Sequence, residues 1–195
     1  PRTLFPYTTL FRSEVARKHG LYATFMAKPW AEESGNGLHV HQSIWDLELK
    51  NNAFEEDEKV ATQYLAGLTN TLSEFIAFTS PSINSYKRLS KDSFAPINES
   101  FGCDNRTAVA RSLLGNGSAS RLEQRVAAGD GNPYLVIASS LAGGLYGIEN
   151  GLELSEAASS NAYSIVKNPL PRNLEQALNR LEKVKLRKNI LVKNL

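Results

Sequence analysis

Two short stretches alternate in polarity residue by residue, and they constrain the fold more than any other feature. Leu38 to Trp45 sets Leu38, Val40, Gln42 and Ile44 against His39, His41, Ser43 and Trp45. Arg121 to Val126 sets Arg121, Glu123 and Arg125 against Leu122, Gln124 and Val126. A period of two is the signature of a β-strand with one buried face. Each strand thus offers a mainly apolar face to a core and presents polar or ionisable groups on the other. Together they call for a sheet covered on one side.

Helical spacing supplies the cover. Val60, Tyr64, Leu68, Leu72, Phe75 and Ile76 form one stripe from about Glu58 to Thr79, stopped at Ser80-Pro81. Asn132 followed by Pro133 predicts a capped helix start, with the helix running to about Asn150. A last helix is predicted from Asn173, which stands at capping-box spacing from Gln176. Glu14 to Gly20 predicts a helix end closed by glycine, Tyr22 to Met26 a short strand, and Thr107 to Leu113 another strand. The segments around Asn84 to Arg88 and Phe94 to Pro96 are predicted as loops. Strands and helices mix without strict βαβ alternation. The fold class is therefore α+β, with a mixed or antiparallel sheet and helices on one side.

Composition removes several classes. A chain of 195 residues with 42% hydrophobic and 22% charged residues is neither disordered nor low in complexity. Its single cysteine, Cys103, excludes a disulfide framework and sets a reducing, cytoplasmic location as the expectation. Cys103 itself is expected to be a small, semi-buried residue. No run reaches the roughly 18 unbroken apolar residues of a membrane span. Pro133 to Ile148 is broken by Ser139, Ser140, Gly143, Gly144 and Gly147, and predicts a closely packed helix instead. A net charge of +2 gives no field for nucleic acid. The late basic residues Lys183, Lys185, Arg187, Lys188 and Lys193 are expected to form a solvated helix face or end. Residues 1–13 repeat Thr-Leu-Phe around a proline and lack the order of a signal peptide. They are expected to be non-native, translated adapter sequence, and the functional chain is read as 14–195.

The candidate chemistry sits on the two strands. His39, His41 and Ser43 on one face can meet a metal and a phosphate side by side, though a half-buried imidazole pair fits the same spacing. Glu123 between Arg121 and Arg125 can ligate a metal while the guanidiniums hold phosphate or carboxylate oxygens. An exposed ion-pair ladder fits that spacing too. Arg88, Arg106 and Arg111 add three guanidiniums nearby in sequence, a composition suited to phosphoryl transfer. Gly35-Asn36-Gly37 and Gly115-Asn116-Gly117 lack the surroundings of a P-loop or dinucleotide fingerprint and read as turns.

Taken in order, these motifs resemble the glutamine synthetase superfamily from Glu14 to about Asn150. The matching segments are Phe25-Met26-Ala27-Lys28-Pro29, then Gly35-x-Gly37-x-His39-x-His41-x-Ser43, and Asn84-Ser85-Tyr86-Lys87-Arg88-Leu89. Asn105-Arg106-Thr107 with Arg111, Arg121-x-Glu123-x-Arg125 and Asn132-Pro133-Tyr134-Leu135 follow. The resemblance implies an ATP-dependent ligase that uses Mg or Mn. It passes the γ-phosphoryl of ATP to glutamate's γ-carboxylate, and an amine or ammonia then displaces phosphate. By matching motif, His39 and Glu123 would ligate metal, and His41, Ser43, Arg111 and Arg121 would contact ATP. Gly35, Arg88 and Arg125 would hold glutamate, with Arg106 as the catalytic clamp.

Phe94 stands where ammonia-using members carry a glutamate, so the resemblance is nearest to the γ-glutamylpolyamine (γ-glutamylputrescine) synthetase branch. Ser34 and Ser118 replace an asparagine and a lysine of the family pattern. The N-terminal β-grasp domain and the early catalytic segment have no counterpart before Glu14. The chain is thus expected to be the later part of a catalytic domain, with little turnover alone, whose parent forms a homo-oligomeric ring. Partners are glutamate, ATP and an amine or ammonia, with no nucleic acid and no membrane. A glutamine synthetase proper and a non-catalytic binding relative are the competing readings.

Overall fold

In the computed structural model, the described residues are 5–91, 93–165 and 168–184, without the side chains of 5–9. Four strands form one sheet: β1 (Val40–Gln42), β2 (Phe101–Cys103), β3 (Ala110–Leu113) and β4 (Arg121–Gln124), in the order β1-β4-β3-β2. β4 runs antiparallel to both β1 and β3, while β2 and β3 are parallel. The register places His41 and Arg111 on either side of Glu123. The same pleat sends Leu122 and Gln124 to the opposite face, where both are fully buried.

That opposite face packs on helices. α1 (Phe5–Lys18) precedes the sheet; α2 (Ala53–Glu56), α3 (Glu58–Thr71), α4 (Ile76–Thr79) and α5 (Ile83–Lys87) follow β1. α3 begins where Asp57 accepts the Val60 N–H at 3.1 Å, and it buries Tyr64, Leu65 and Leu68. Tyr64 reaches back to the sheet, donating its hydroxyl to Gln42 Oε1 at 2.7 Å. α6 (Pro133–Glu149) starts as predicted, with Asn132 accepting the Tyr134 N–H at 3.0 Å and Pro133 in the first turn. It lies directly on α3. A side chain on Gly67 would run into the Gly143 carbonyl, and one on Gly147 into the Gln63 carbonyl, so the two backbones touch. The glycines that interrupt the apolar run therefore serve close packing. α7 (Leu174–Lys183) closes the described chain, and Asn173 accepts the Gln176 N–H at 2.8 Å. No described helix is long and apolar enough to cross a membrane.

The α+β class holds, with local corrections, among them the predicted strand Thr107 to Leu113, which shortens to β3. Tyr22 to Met26 pairs with no strand, and Tyr22 is fully exposed. The predicted strand 38–45 narrows to β1, with single bridges at Gly37 and Trp45. The stripe from Glu58 to Thr79 is interrupted where the Glu74 and Phe75 N–H groups both donate to Thr71 O. The segment 84–88 is largely the short helix α5, nucleated by a Ser82–Ser85 capping box. Cys103 is exposed, since it ends β2 at the sheet edge. Lys183 falls in the last turn of α7; Lys185, Arg187, Lys188 and Lys193 lie outside the described residues.

Candidate active site

The exposed face of the sheet carries the candidate site, and Glu123 is its centre. Only 2% exposed, this carboxylate would be costly to bury without cations. Arg111 Nη1 donates to Oε2 at 2.9 Å and Arg125 Nη1 donates to Oε1 at 2.8 Å. His39 Nδ1 stands 2.9 Å and His41 Nε2 3.8 Å from Oε1. Burial pushes the Glu123 carboxyl up, but the Arg111 hydrogen bond, the charge of Arg125 and the neighbouring His39 and His41 outweigh it and hold the group below its ordinary value.

The two imidazoles are not equivalent. Burial and the neighbouring Arg125 push His39 below the ordinary imidazole value, against the pull of Glu123, which favours the neutral ring. Its Nδ1 stands 2.9 Å from Glu123 Oε1 and 3.4 Å from Arg125 Nη1, so one ring nitrogen meets both the carboxylate and the guanidinium. At His41, Arg121 Nε donates to Nδ1 at 3.2 Å, which places the proton on Nε2, facing Glu123.

A glycine loop and α5 build the second wall. The Asn36 N–H donates to Ala27 O, the Leu38 N–H to Ala127 O and the Gly129 N–H to Asn36 O, docking residues 27–38 along the chain beyond β4. Asn84 exchanges two bonds with the Lys28 backbone, at 2.7 and 2.9 Å, and so fixes α5 to that loop. Gly35 is required there: a Cβ would fall 2.6 Å from Arg88 Cγ. Arg88 is 3% exposed and donates through Nη2 to the Val126 and Ala127 carbonyls. Burial lowers its pKa to about 10, with Asp130 opposing and Arg125 adding to the shift. Asp130, which the sequence reading missed, is held by Ser82 and Ser85 at 2.8 and 3.2 Å. The Nε–H groups of Arg88 and Arg125 are buried without a hydrogen-bond partner among the described residues. Buried donors of this kind call for an acceptor from outside.

The remaining candidates line the rim. Arg121 also donates to Ala119 O at 2.9 Å, and Ser43, just past β1, accepts from Trp45 Nε1 at 2.9 Å. Arg106 is exposed on the turn after β2, close enough to help hold the Asp104 carboxyl below its usual range, behind the larger effect of Arg111. Phe94 is 76% exposed at φ +60°, on a loop anchored by Ser93 Oγ donating to Arg88 O at 2.8 Å. The face thus brings together Gly35, Arg88, Arg125, His39, His41, Glu123, Arg111 and Arg121. The other three candidates border it or follow it in the chain.

A divalent metal fits only in part. His39 and Glu123 supply one imidazole and one carboxylate whose oxygens already meet two arginines. No group of three or more His, Cys, Asp or Glu side chains is arranged for a metal among the described residues. A Mg or Mn ion needs more oxygen ligands than these residues give.

Comparison with known proteins places this site in a family. Residues 7–195 match the family described as glutamine synthetase, catalytic domain. The chain is 46% identical over 173 residues to a glutamate–isopropylamine ligase of a Pseudomonas species, covering 84% of this chain and 38% of that protein. It is 37% identical over 167 residues to the γ-glutamylputrescine synthetase of Escherichia coli, covering 84% and 35%. Against a glutamine synthetase of Clostridium saccharobutylicum the identity is 36% over 190 residues, covering 91% and 43%. The chain thus spans well under half the length of these relatives. A solved structure of GmaS without ligand superposes with a TM-score of 0.85 at 36% identity, over 95% of this chain and 44% of that one. A GmaS/ADP complex gives the same TM-score at 34% identity, over 95% and 45%. Fold, ordered motifs and relatives agree: the chain belongs to the glutamine synthetase catalytic-domain family.

Proposed function

We propose that this chain carries the glutamate- and phosphate-binding wall of an ATP-dependent ligase that joins glutamate to an organic amine. The observation that carries the reading is the pair of buried guanidiniums, Arg88 and Arg125, each with an Nε–H that lacks an acceptor among the described residues. Buried cations arranged this way suit a carboxylate ligand. In this reading Arg88 and Arg125 hold glutamate against the Gly35 loop, where the absence of a Cβ leaves room for Arg88. Arg111, Arg121 and Arg106 meet the phosphates, with His41 and Ser43 beside them. Arg106, exposed on its turn, is the clamp for charge that develops as the phosphoryl group moves.

The reaction balances without a redox partner. A γ-carboxylate oxygen attacks the γ-phosphorus and ADP leaves, giving an acyl phosphate. The amine nitrogen then attacks the carbonyl carbon, the C–O bond to phosphate breaks, and the amine gives up a proton. His39 and Glu123 would contribute to a Mg or Mn site completed by ligands from elsewhere, and that ion would neutralise phosphate charge. Phe94, in place of an acid, offers an incoming amine apolar surface instead of a negative charge. This favours an organic acceptor, in keeping with the ligases of isopropylamine and putrescine among the relatives.

Ammonia is the second reading, supported by the 36% identity to a glutamine synthetase. Phosphate release by the full-length protein with glutamate and ATP, comparing ammonia, putrescine and isopropylamine, separates the two. Faster release with an organic amine is expected. Preference for ammonia would overturn the role given to Phe94, and no amine-dependent release would overturn the ligase reading.

A further inference from the structure

Asp104 has no part in the reading above, yet its carboxylate is built into the cationic wall. Arg111 Nε donates to Asp104 Oδ1 at 2.7 Å and Nη2 donates to the same oxygen, while Nη1 donates to Glu123 Oε2 at 2.9 Å. The guanidinium is thus gripped on both sides. Glu123 is the buried grip and Asp104, with its side chain 73% exposed, the outer one.

An exposed acid–arginine pair alone contributes little, because solvent screens it and both side chains must be immobilised. Here the backbone that carries the acid is already fixed by its turn. Asp104 sits at φ +48°, and its N–H donates to Ser112 O at 2.9 Å. Next to it, Asn105 Nδ2 donates to Ser160 O at 2.8 Å and to Ala158 O at 3.3 Å. Asn105 Oδ1 accepts from Thr107 N–H and Oγ1, and Thr107 Oγ1 accepts from the Ala162 N–H at 2.8 Å. Gly102 allows the close approach, since a Cβ there would stand 2.5 Å from Asn105 Cβ. The turn is therefore bolted to β3 on one side and to residues 158–162 on the other. The fold thus fixes the backbone, and only the short side chain's own rotation is left for Arg111 to order.

We propose that Asp104 is a positioning residue: it holds the Arg111 guanidinium in one orientation beside Glu123, where nucleotide phosphate oxygens are to be met. Asp104 itself touches no substrate. The inference rests on the nucleotide role of Arg111 proposed above. Without Asp104, a long side chain keeps a single anchor and regains its rotamer freedom, so the geometry of its fork is lost while its charge remains.

Asp104→Ala, Asp104→Asn and Asp104→Glu in the full-length protein test this with two readouts. The first needs no ligand: the rate at which phenylglyoxal modifies Arg111, followed by peptide mass spectrometry. Modification several-fold faster in the Ala and Asn variants, and near the wild-type rate in Glu, is expected; equal rates in all four proteins overturn the proposal. The second is ADP affinity by calorimetry, together with KM for ATP and for glutamate. Asp104→Ala is expected to weaken ADP and raise KM for ATP several-fold, with KM for glutamate and Tm unchanged. It should add nothing in an Arg111→Ala background, and independent losses there count against it. If the wild-type protein binds no ADP, the ligase reading fails, while the modification rates still decide whether Asp104 positions Arg111.

Discussion

The two faces of β4 are almost equally buried and are held by opposite means. Leu122 and Gln124 are 0% exposed against the helices, while Glu123 and Arg125, at 2% and 5%, face the site. On the helix side, Leu122 joins a cluster with Tyr64, Leu65, Leu68 and Val126. Apolar burial of that kind tolerates small shifts, because contact area has no direction. On the site side, burial rests on two guanidiniums at 2.9 and 2.8 Å from one carboxylate, and each depends on the other. One strand thus separates a face that secures the fold from a face that stores charge for a ligand.

Removing the shared carboxylate should have the largest effect. Glu123→Gln leaves Arg125 buried without its anion and Arg111 with Asp104 alone, and losing one partner of a buried pair costs about 3–5 kcal/mol. Activity of the full-length protein should fall about 10–100-fold, as when groups that support a metal site are altered. Denaturant unfolding and phosphate release measure the two losses. Unchanged stability would mean that the charges on this face are not supporting one another, and the contrast between the faces would fail.

Leu122→Ala probes the other side. Truncating a fully buried leucine costs about 2–5 kcal/mol, depending on how far the cavity collapses. The folded fraction should keep kcat/KM close to wild type, because no site residue loses a partner. A large drop in kcat/KM at unchanged stability would show that the two faces are mechanically coupled through the strand.

How much of this the sequence discloses follows from the length and regularity of each element. Alternation at Arg121 to Val126 predicts which side chains share the site face, and the register confirms it by setting His41 and Arg111 against Glu123. The cap at Asn132 is equally legible, because its signal is local. β2 is three residues long and α5 five, too short for any periodicity to stand out. Tyr22 to Met26 has strand-like residues but no strand beside it, and pairing is a tertiary fact. Asp104 stayed hidden for a related reason. Its importance comes from a turn closed by one side chain that reaches backbone carbonyls 53 and 55 residues away, Asn105 donating to Ala158 and Ser160. An acid in a turn looks like any solvated charge until that bracket is seen.

The smallest expected effect lies in the pH dependence of stability, and it isolates the charged face. His39 has a folded-state pKa below its ordinary value of 6.5. Below 6.5 the unfolded chain therefore binds a proton that the folded one resists, and stability falls as pH falls from 6.5 toward the folded value. Glu123 is also depressed, and its contribution is lost at lower pH still, as the solution passes below the ordinary carboxylate value of 4.5 toward the folded one. The first window opens at the higher pH. In His39→Asn, whose amide can still donate to Glu123, the first slope should flatten, by about one proton at most, while the second remains. Urea unfolding from pH 7 to 5 measures it. An unchanged slope between pH 6.5 and 5 would mean that His39 titrates as a free imidazole, and that the charged face does not hold its ring neutral for a ligand.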